Sequence, residues 1–355
     1  GPVPGPVHPP APRGGDALSP ELGRVLVTGA SGFIGGWIAR GLSERGNAVR
    51  ALYRRARPPA FLEHLAAAGV EVERRDLCWP EDAQAAVREV GAVVHAAALA
   101  SDWGDPETFR RQNVEVTVRL LEEARSAGCR VFVYLGSIAV HGFGPHVQTT
   151  EEGPYYPLRN FYQLTKKQAE EAVLAGNSPA FRTVALRPAD VYGPGDTTTF
   201  YRLLGAQEKG VRGTLGGGLR LTSLLAVEDL VQAVALALER EAAGGQAFNL
   251  TSGEPNTWRQ LLGYTAQLLG VRPWLELPLF VARPAAAVLA AIYGFLGIRR
   301  DPPLTPYRVQ HVAYDFDFSI EKAQRILGFA PTVGWREGLA RMVEAYQAER
   351  GMPAQ

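Results

Sequence analysis

Short β-branched runs alternate with longer amphipathic stretches from Arg24 onward. Arg24–Thr28 reads as a buried strand, and Phe33–Arg45 has apolar residues at helical spacing and stops at Gly46. Further strand patterns cover Ala48–Tyr53, Val70–Arg74, Val90–Ala96, Arg130–Gly136 and Arg182–Leu186. Helical patterns sit between them at Pro59–Ala68, Pro80–Glu89, Pro106–Ala127 and Phe161–Leu174. This alternation predicts right-handed βαβ units, and so an α/β fold with a doubly wound parallel sheet covered on both faces. Beyond Pro188 the rhythm loosens. A glycine-rich loop at Gly213–Gly218 precedes a helix at Glu228–Arg240, a strand at Ala247–Leu250 and a helix at Thr257–Leu269.

The expected organisation has three parts. Residues 1–22 form a disordered extension, because the first 20 residues hold 7 Pro and 4 Gly. Residues 23–190 form the main α/β domain. Residues 191–355 form mainly a smaller lobe, interleaved with the first domain by segments that return to its sheet.

Composition narrows the function classes. The 355 residues carry 37 basic and 36 acidic side chains, a net charge of +1, which leaves no basic excess for nucleic acid. Only Cys78 and Cys129 are present, too few to staple such a chain, so a reducing, cytoplasmic setting is expected. No apolar run reaches the roughly 20 residues that span a bilayer. The apolar segment Leu277–Leu296 reads as a helix that covers a greasy substrate, touches a membrane surface, or packs in the ordinary way. No His/Cys/Asp/Glu cluster has metal-ligand spacing, and no G-x-S-x-G elbow surrounds Ser137. His95, at a strand end, reads as structural.

Two motifs carry chemistry. Thr28-Gly-Ala-Ser-Gly-Phe-Ile-Gly35 sets Gly29, Gly32 and Gly35 between the first strand and the first helix. Such glycines allow a tight turn, close approach to a pyrophosphate and close helix–sheet packing, and the helix N-terminus favours phosphate. This is the pattern of a Rossmann-type nucleotide fold, with Phe33, Ile34 and Gly35 opening the helix. The second strand ends Leu52-Tyr53-Arg54-Arg55 with no nearby carboxylate, so Arg54 suits the 2′-phosphate of NADP(H) better than the hydroxyl of NAD(H). Asp76 and Leu77, after the third strand, are expected near the adenine; a helix-capping role for Asp76 is the other reading.

Tyr162-Gln-Leu-Thr-Lys166 sets Tyr162 and Lys166 four apart on one helix face. A lysine cation near a tyrosine favours phenolate, which suits proton exchange with a carbonyl or alcohol oxygen. Ser137, at the end of the fifth strand, is placed to hold that oxygen, and Asn113 to fix a water or the lysine as a relay.

These motifs, in order, resemble the extended short-chain dehydrogenases/reductases over about residues 24–345. Val93-Val-His-Ala-Ala-Ala98 is similar to the family's cofactor-lining fourth strand, which adds Ala96, Ala97 and Ala98 to the cofactor set. Asn113-Val-Glu-Val-Thr117 resembles NVxGT with Val116 replacing Gly. Ser137-Ile-Ala-Val-His-Gly142 resembles S-x-x-V-Y-G with His141 replacing Tyr. The resemblance implies Tyr162 as acid/base, Lys166 as its partner and ribose anchor, Ser137 as the oxyanion contact, and a homodimer through Pro106–Ala127 and Phe161–Leu174.

Within that family, Leu186-Arg-Pro-Ala-Asp-Val-Tyr-Gly-Pro-Gly-Asp196 resembles the 3β-hydroxysteroid dehydrogenase branch, which includes bacterial members like 2-alkyl-3-oxoalkanoate reductases. Asp190 stands where nucleotide-sugar members carry Asn, and Pro188 borders the cofactor. The Ser101-Asp-Trp-Gly104 loop and the aromatic-rich His311–Phe318 stretch are similar to the same branch. The resemblance implies ketone–alcohol interconversion on a small-molecule substrate that is bulky and hydrophobic, steroid-like or a long-chain β-keto compound. Trp103, Ile138, His141 and Tyr192 are the candidate substrate contacts. The alternatives are an NAD-dependent nucleotide-sugar epimerase and a non-catalytic NADP-sensing regulator.

Overall fold

The computed structural model describes residues 18–19, 22–210, 214–272, 276–298 and 300–351. The first half alternates β1 (Val25–Thr28), α1 (Phe33–Glu44), β2 (Val49–Tyr53), α2 (Phe61–Ala67), β3 (Glu71–Arg74), α3 (Pro80–Ala86) and β4 (Ala92–His95). There follow α4 (Pro106–Phe109), a π-helical turn (Arg110–Glu115), α5 (Val116–Ser126), β5 (Val131–Leu135), β6 (His146–Thr149), α6 (Phe161–Ala175) and β7 (Arg182–Pro188). The helix expected over Pro106–Ala127 is therefore continuous in direction but widened by one turn around Asn113.

The second half contains β8 (Asp190–Tyr192), α7 (Phe200–Glu208), β9 (Thr214–Leu215), β10 (Leu221–Thr222), β11 (Leu224–Ala226), α8 (Val227–Glu239), β12 (Gln246–Leu250), β13 (Asn256–Thr257) and α9 (Trp258–Leu268). It ends with β14 (Glu276–Leu277), α10 (Leu279–Phe295), α11 (Pro306–Ala313), β15 (Phe316–Phe318) and α12 (Trp335–Glu349). Within the expected glycine-rich loop Thr214–Leu215 pairs with Glu276–Leu277, and Gly216, Gly217 and Gly218 form a turn with positive φ at all three; Gly213 lies outside the described residues.

Seven parallel strands form one sheet in the order β12-β7-β5-β4-β1-β2-β3. The order reverses between β1 and β4, which opens a crevice at their C-terminal ends. β1 and β4 are buried along their whole length, as strands sandwiched by helices must be. One face packs Ile38 and Leu42 of α1, Leu62 and Leu65 of α2, and Leu230 and Val234 of α8. The other packs Ala83 of α3, Leu120 and Leu121 of α5, and Ala169 and Val173 of α6. A separate core joins α7, α9 and α12 through Leu204, Leu261, Leu339 and Met342.

Part of the expected disordered extension is packed. Leu18 and Leu22 are buried in the first core, and the Leu18 N–H donates to Asn47 Oδ1 at 2.9 Å. Burial of these two leucines offsets the entropy of ordering the chain just before β1. Residues 1–17 lie outside the described residues.

α10 is unusual in presenting its larger side chains outward. Ala282 and Ala286 are buried, whereas Phe280 and Phe295 are 79% and 91% exposed, with Val288, Ile292 and Leu296 exposed between and beyond them. Among the described residues no helix is long and apolar enough to cross a membrane.

Candidate active site

The glycine turn sits at the strand-order reversal. Gly29 has φ +72°, and a Cβ there would stand 2.9 Å from the Ala97 Cα. A Cβ on Gly35 would come within 2.4 Å of the Gly29 carbonyl oxygen. The turn is thus wedged between α1 and the loop after β4, where no side chain fits. Gly32 is the N-cap of α1 and supplies no side-chain cap, so the first-turn N–H groups of Phe33, Ile34 and Gly35 remain for an anion. This cradle fits a dinucleotide pyrophosphate.

A buried chain of hydrogen bonds fixes the loop Ala96–Ala98 beside it. The Ala97 N–H donates to Thr28 Oγ1 at 3.0 Å, and that hydroxyl lies 2.8 Å from His95 Nδ1. His95 Nε2 lies 3.0 Å from Thr117 Oγ1, which donates to the Asn113 carbonyl at 2.7 Å. All partners are satisfied with the imidazole neutral and its proton on Nε2. Burial pushes the His95 pKa down to about 3.

At the adenosine end, Arg54 follows β2 and is exposed, with Nη2 3.5 Å from Gln112 Oε1. Arg111 is exposed nearby; its charge and that of Arg54 both reach the Cys78 thiol. Asp76 is not the cap of α3, which is Trp79. Its Oδ1 accepts the Cys78 N–H at 3.1 Å, and its own N–H donates to Asp82 Oδ2 at 2.8 Å. Leu77 is buried, and its carbonyl accepts from Arg119 at 3.1 Å.

The chemical pair is carried by α6. Asn160 caps this helix, its Oδ1 accepting the Tyr162 N–H at 2.7 Å. Lys166 lies one turn on, buried, with Nζ donating to the Leu135 carbonyl and lying 4.4 Å from the Tyr134 ring centre. Burial lowers its pKa to about 7, against the pull of Glu170. Ser137 Oγ accepts the Ala139 N–H at 3.2 Å and bears on the Tyr162 phenol. Burial holds that phenol above its ordinary pKa; Ser137 lowers it and Asp190 raises it further.

Asn113 departs from the expected relay. Its Oδ1 accepts the Leu99 N–H at 2.7 Å, and its Nδ2 donates to Thr165 Oγ1 at 3.1 Å and to the Leu99 carbonyl at 3.3 Å. With both ends of the amide bonded, the side chain ties the loop after β4 to α6. Pro188 is buried at the end of β7.

The four candidate substrate contacts divide. Trp103 is half-buried, its Nε1 donating to the Ile298 carbonyl at 3.2 Å and its ring meeting Tyr293 edge-on at 6.4 Å. It joins the loop after β4 to the end of α10. Ile138 packs with Ala189, Phe316 and Phe318. His141 is fully buried: Nδ1 donates to the Pro154 carbonyl at 3.3 Å, Nε2 accepts from Arg187 at 3.1 Å, and the ring stacks on Tyr155. With both nitrogens engaged, it supports the site from inside instead of facing substrate. Tyr192 is also fully buried, packed in the second-half core against Phe200 and above Gly338. A strand-end position suggested a pocket, but both rings turn into packed cores.

Asp190 and His311 enter the sequence reading only as marks of resemblance, and Tyr307 not at all; none of the three is a candidate site residue there. Asp190 and His311 face each other, Oδ2 to Nε2, at 3.4 Å. Tyr307 is held well above its ordinary pKa by burial and by Tyr162, Asp190 and Asp102. No local sequence pattern pairs residues so far apart. Among the described residues no group of three His, Cys, Asp or Glu could hold a metal.

A family model described as the NAD dependent epimerase/dehydratase family matches residues 25–251. The chain is 32% identical over 328 residues to a 2-alkyl-3-oxoalkanoate reductase of Stenotrophomonas maltophilia, covering 90% of this chain and 98% of that one. It is 31% identical to the 4-hydroxy-2-methyl-3-oxo-4-farnesyl-3,4-dihydroquinoline-1-oxide ketoreductase of Stigmatella aurantiaca, over 92% and 98% of the two chains. The solved structure of MoeE5 in complex with UDP-glucose and NAD superposes with a TM-score of 0.73 at 28% identity, over 92% of this chain and 100% of that one.

Proposed function

The chain belongs to the NAD dependent epimerase/dehydratase family of extended short-chain dehydrogenases/reductases, and on that premise we propose that it is an NADP-dependent ketoreductase for a bulky hydrophobic β-keto or steroid-like substrate. Oxidoreductases acting on hydroxyl or keto groups are its named relatives. The observation that supports the reading is the placing of Tyr162 and Lys166 one turn apart on α6, with the buried Lys166 Nζ donating to the Leu135 carbonyl at the end of the strand that leads to Ser137.

Ser137 and Tyr162 converge on one substrate oxygen. Ser137 Oγ already accepts a backbone N–H, so its own proton is free to donate to a carbonyl oxygen. Tyr162 supplies the proton that completes the alcohol. Lys166 holds the ribose and, when protonated, stabilises the phenolate left behind. A bound nicotinamide supplies the hydride. Arg54 holds the 2′-phosphate that separates NADP from NAD.

Domain roles follow from the same reading. Residues 23–190 hold the cofactor, and the later residues hold mainly substrate. The chain works in the cytoplasm as a homodimer through α4 to α6, where Phe161 and Leu164 are exposed; light scattering then returns twice the chain mass. The exposed face of α10 contributes a peripheral contact with lipid, where greasy substrates partition.

Replacing Tyr162 with Phe tests the mechanism. Reduction of ethyl 2-methyl-3-oxobutanoate by NADPH falls by about 10²–10⁴-fold, while NADPH fluorescence still reports binding. Full turnover in that variant rules the mechanism out. Tightly bound NAD and UDP-glucose epimerisation are the outcomes that favour the epimerase reading instead.

A further inference from the structure

The loop after β4 continues from Ala96–Ala98 to Gly104 and reaches two different helices through Asp102. Its backbone holds α6: the Asp102 carbonyl accepts from Asn160 Nδ2 at 3.1 Å. Asn160 is the cap of α6, and the other end of its amide, Oδ1, accepts the Tyr162 N–H at 2.7 Å. The Asp102 carboxylate, only 11% exposed, holds α11. It accepts from Thr305, the cap of α11, and takes both Nε and Nη2 of Arg308 at 3.1 Å. Arg308 also pairs with Asp301, which pairs with Arg202 of α7 at 2.8 Å. A single residue thus links the cap beside Tyr162 to the first turn of α11.

α11 packs in turn on the segment beyond Ser137. Tyr307 meets Phe143 edge-on at 4.9 Å, and His311 lies 6.3 Å from the same ring. Phe143 follows the helical turn Ile138–His141, which Ser137 caps. α11 is therefore fixed at its start to the cap of α6 and along its side to the segment that follows Ser137.

We propose that Asp102 is a positioning residue that sets where α11 stands beside Tyr162, and so which substrates fit there. The inference rests on the ketoreductase reading of Tyr162. The tie has two links in series, Asp102 to α11 and Asp102 to Asn160, and no side chain in it touches the reacting atoms.

The physical argument is one of stiffness. α11 has eight residues, too few to hold a helix or a place without tertiary contacts. A nearly buried carboxylate bonded by both a guanidinium fork and a hydroxyl supplies a directional anchor that apolar packing does not. A wall held in this way binds the apolar part of a substrate in proportion to the area it covers. Loosening it therefore weakens long substrates more than short ones.

The test compares ethyl 3-oxodecanoate with ethyl 2-methyl-3-oxobutanoate, each reduced by NADPH. Asp102→Ala breaks the link to α11, and KM for the long ester rises about 10-fold or more, while KM for the short ester rises less than about threefold. Asn160→Ser still caps α6 but loses the donor to the Asp102 carbonyl, and it gives the same selective rise with a melting temperature close to that of the parent. Asp102→Ala with Asn160→Ser is no worse than either alone, because a tie in series breaks only once. NADPH fluorescence on each variant shows that the cofactor site is intact. Where Asp102→Ala does not bind NADPH, Asp102→Asn replaces it, since that side chain still accepts from Thr305 but carries no charge for Arg308. Equal losses for the two esters overturn the inference, as do losses that multiply in the double variant. The two readings fail separately: full turnover by Tyr162→Phe removes the mechanism, whereas an inactive Tyr162→Phe with equal losses for the two esters removes only the role of Asp102.

Discussion

Arg54 and Glu170 show how differently two charged residues act on this site. Arg54 is exposed and makes one long contact, so the fold does not need it. In the proposed function its value lies in a 2′-phosphate. An Arg54→Ser variant should bind NADPH about 10-fold or more weakly and NADH almost unchanged, measured by nicotinamide fluorescence. Equal affinities of the parent protein for both cofactors refute the assignment. Glu170 is the opposite case. It takes two bonds from Arg187, at 2.9 and 2.7 Å, with both side chains almost fully buried. Arg187 also donates to His141 and to the Glu151 carbonyl. This network joins β7 to the helix that carries Tyr162 and Lys166. Glu170→Gln leaves a buried guanidinium without its counter-charge, at a cost of about 3–5 kcal/mol in chemical denaturation. Removing both charges with apolar residues costs less, because no orphan ion remains.

Among the elements, α10 is set apart by what holds it and what it leaves bare. Its inner face is alanine, which allows a close approach to Val309 of α11. Its end is tied to the loop after β4 by Trp103, and α11 is tied to the same loop by Asp102, which accepts from Thr305 and pairs with Arg308 at 3.1 Å. The outer face carries Phe280, Val288, Ile292, Phe295 and Leu296, with Arg283 exposed on the same helix. A helix with that face outward and a cation beside it suits an anionic interface. The protein should therefore sediment with phosphatidylglycerol vesicles, less with phosphatidylcholine, and Phe280→Ser with Phe295→Ser should abolish it. Equal sedimentation of the double variant contradicts the contact. The widened turn around Asn113 is an element-scale feature of another kind. Its extra residue leaves the Asn113 carbonyl to accept from Thr117 Oγ1, and so anchors the His95 chain to α5.

Across the whole molecule, buried histidines set the acid side of stability. His95 and His141 are both pushed down to about 3, in each case mainly by burial. An unfolded histidine takes up its proton near pH 6.5. Between those values the unfolded chain binds more protons than the folded one, so their contribution is complete above pH 6.5 and is lost as pH falls toward 3. Glu151, Glu228 and Asp229 are raised by burial and act in the opposite sense at the acid end. The melting temperature should fall from about pH 6.5 downward, and His141→Gln should fall less steeply between about pH 7 and pH 5. A parallel slope in parent and variant assigns the loss to other groups.

Much of this was open to reading along the chain. β-branched runs alternating with amphipathic stretches determine a parallel sheet, because each periodicity permits one way of burying its apolar face. The glycines at 29, 32 and 35, and the four-residue step from Tyr162 to Lys166, are local rules that survive without knowledge of the rest. What tertiary structure alone decided is which polar groups meet. His141 and Tyr192 occupy positions that suggest a pocket, yet their rings turn into packed cores. Asn113 was expected to fix a water or Lys166, and its amide is bonded to Leu99 and Thr165. Asp190 and His311 stand 121 positions apart in the chain and come within 3.4 Å only because α11 folds back over the end of β8. Periodicity constrains a residue relative to its neighbours in sequence. Desolvation and charge act between residues that share space, and that sharing is created only when the layers close.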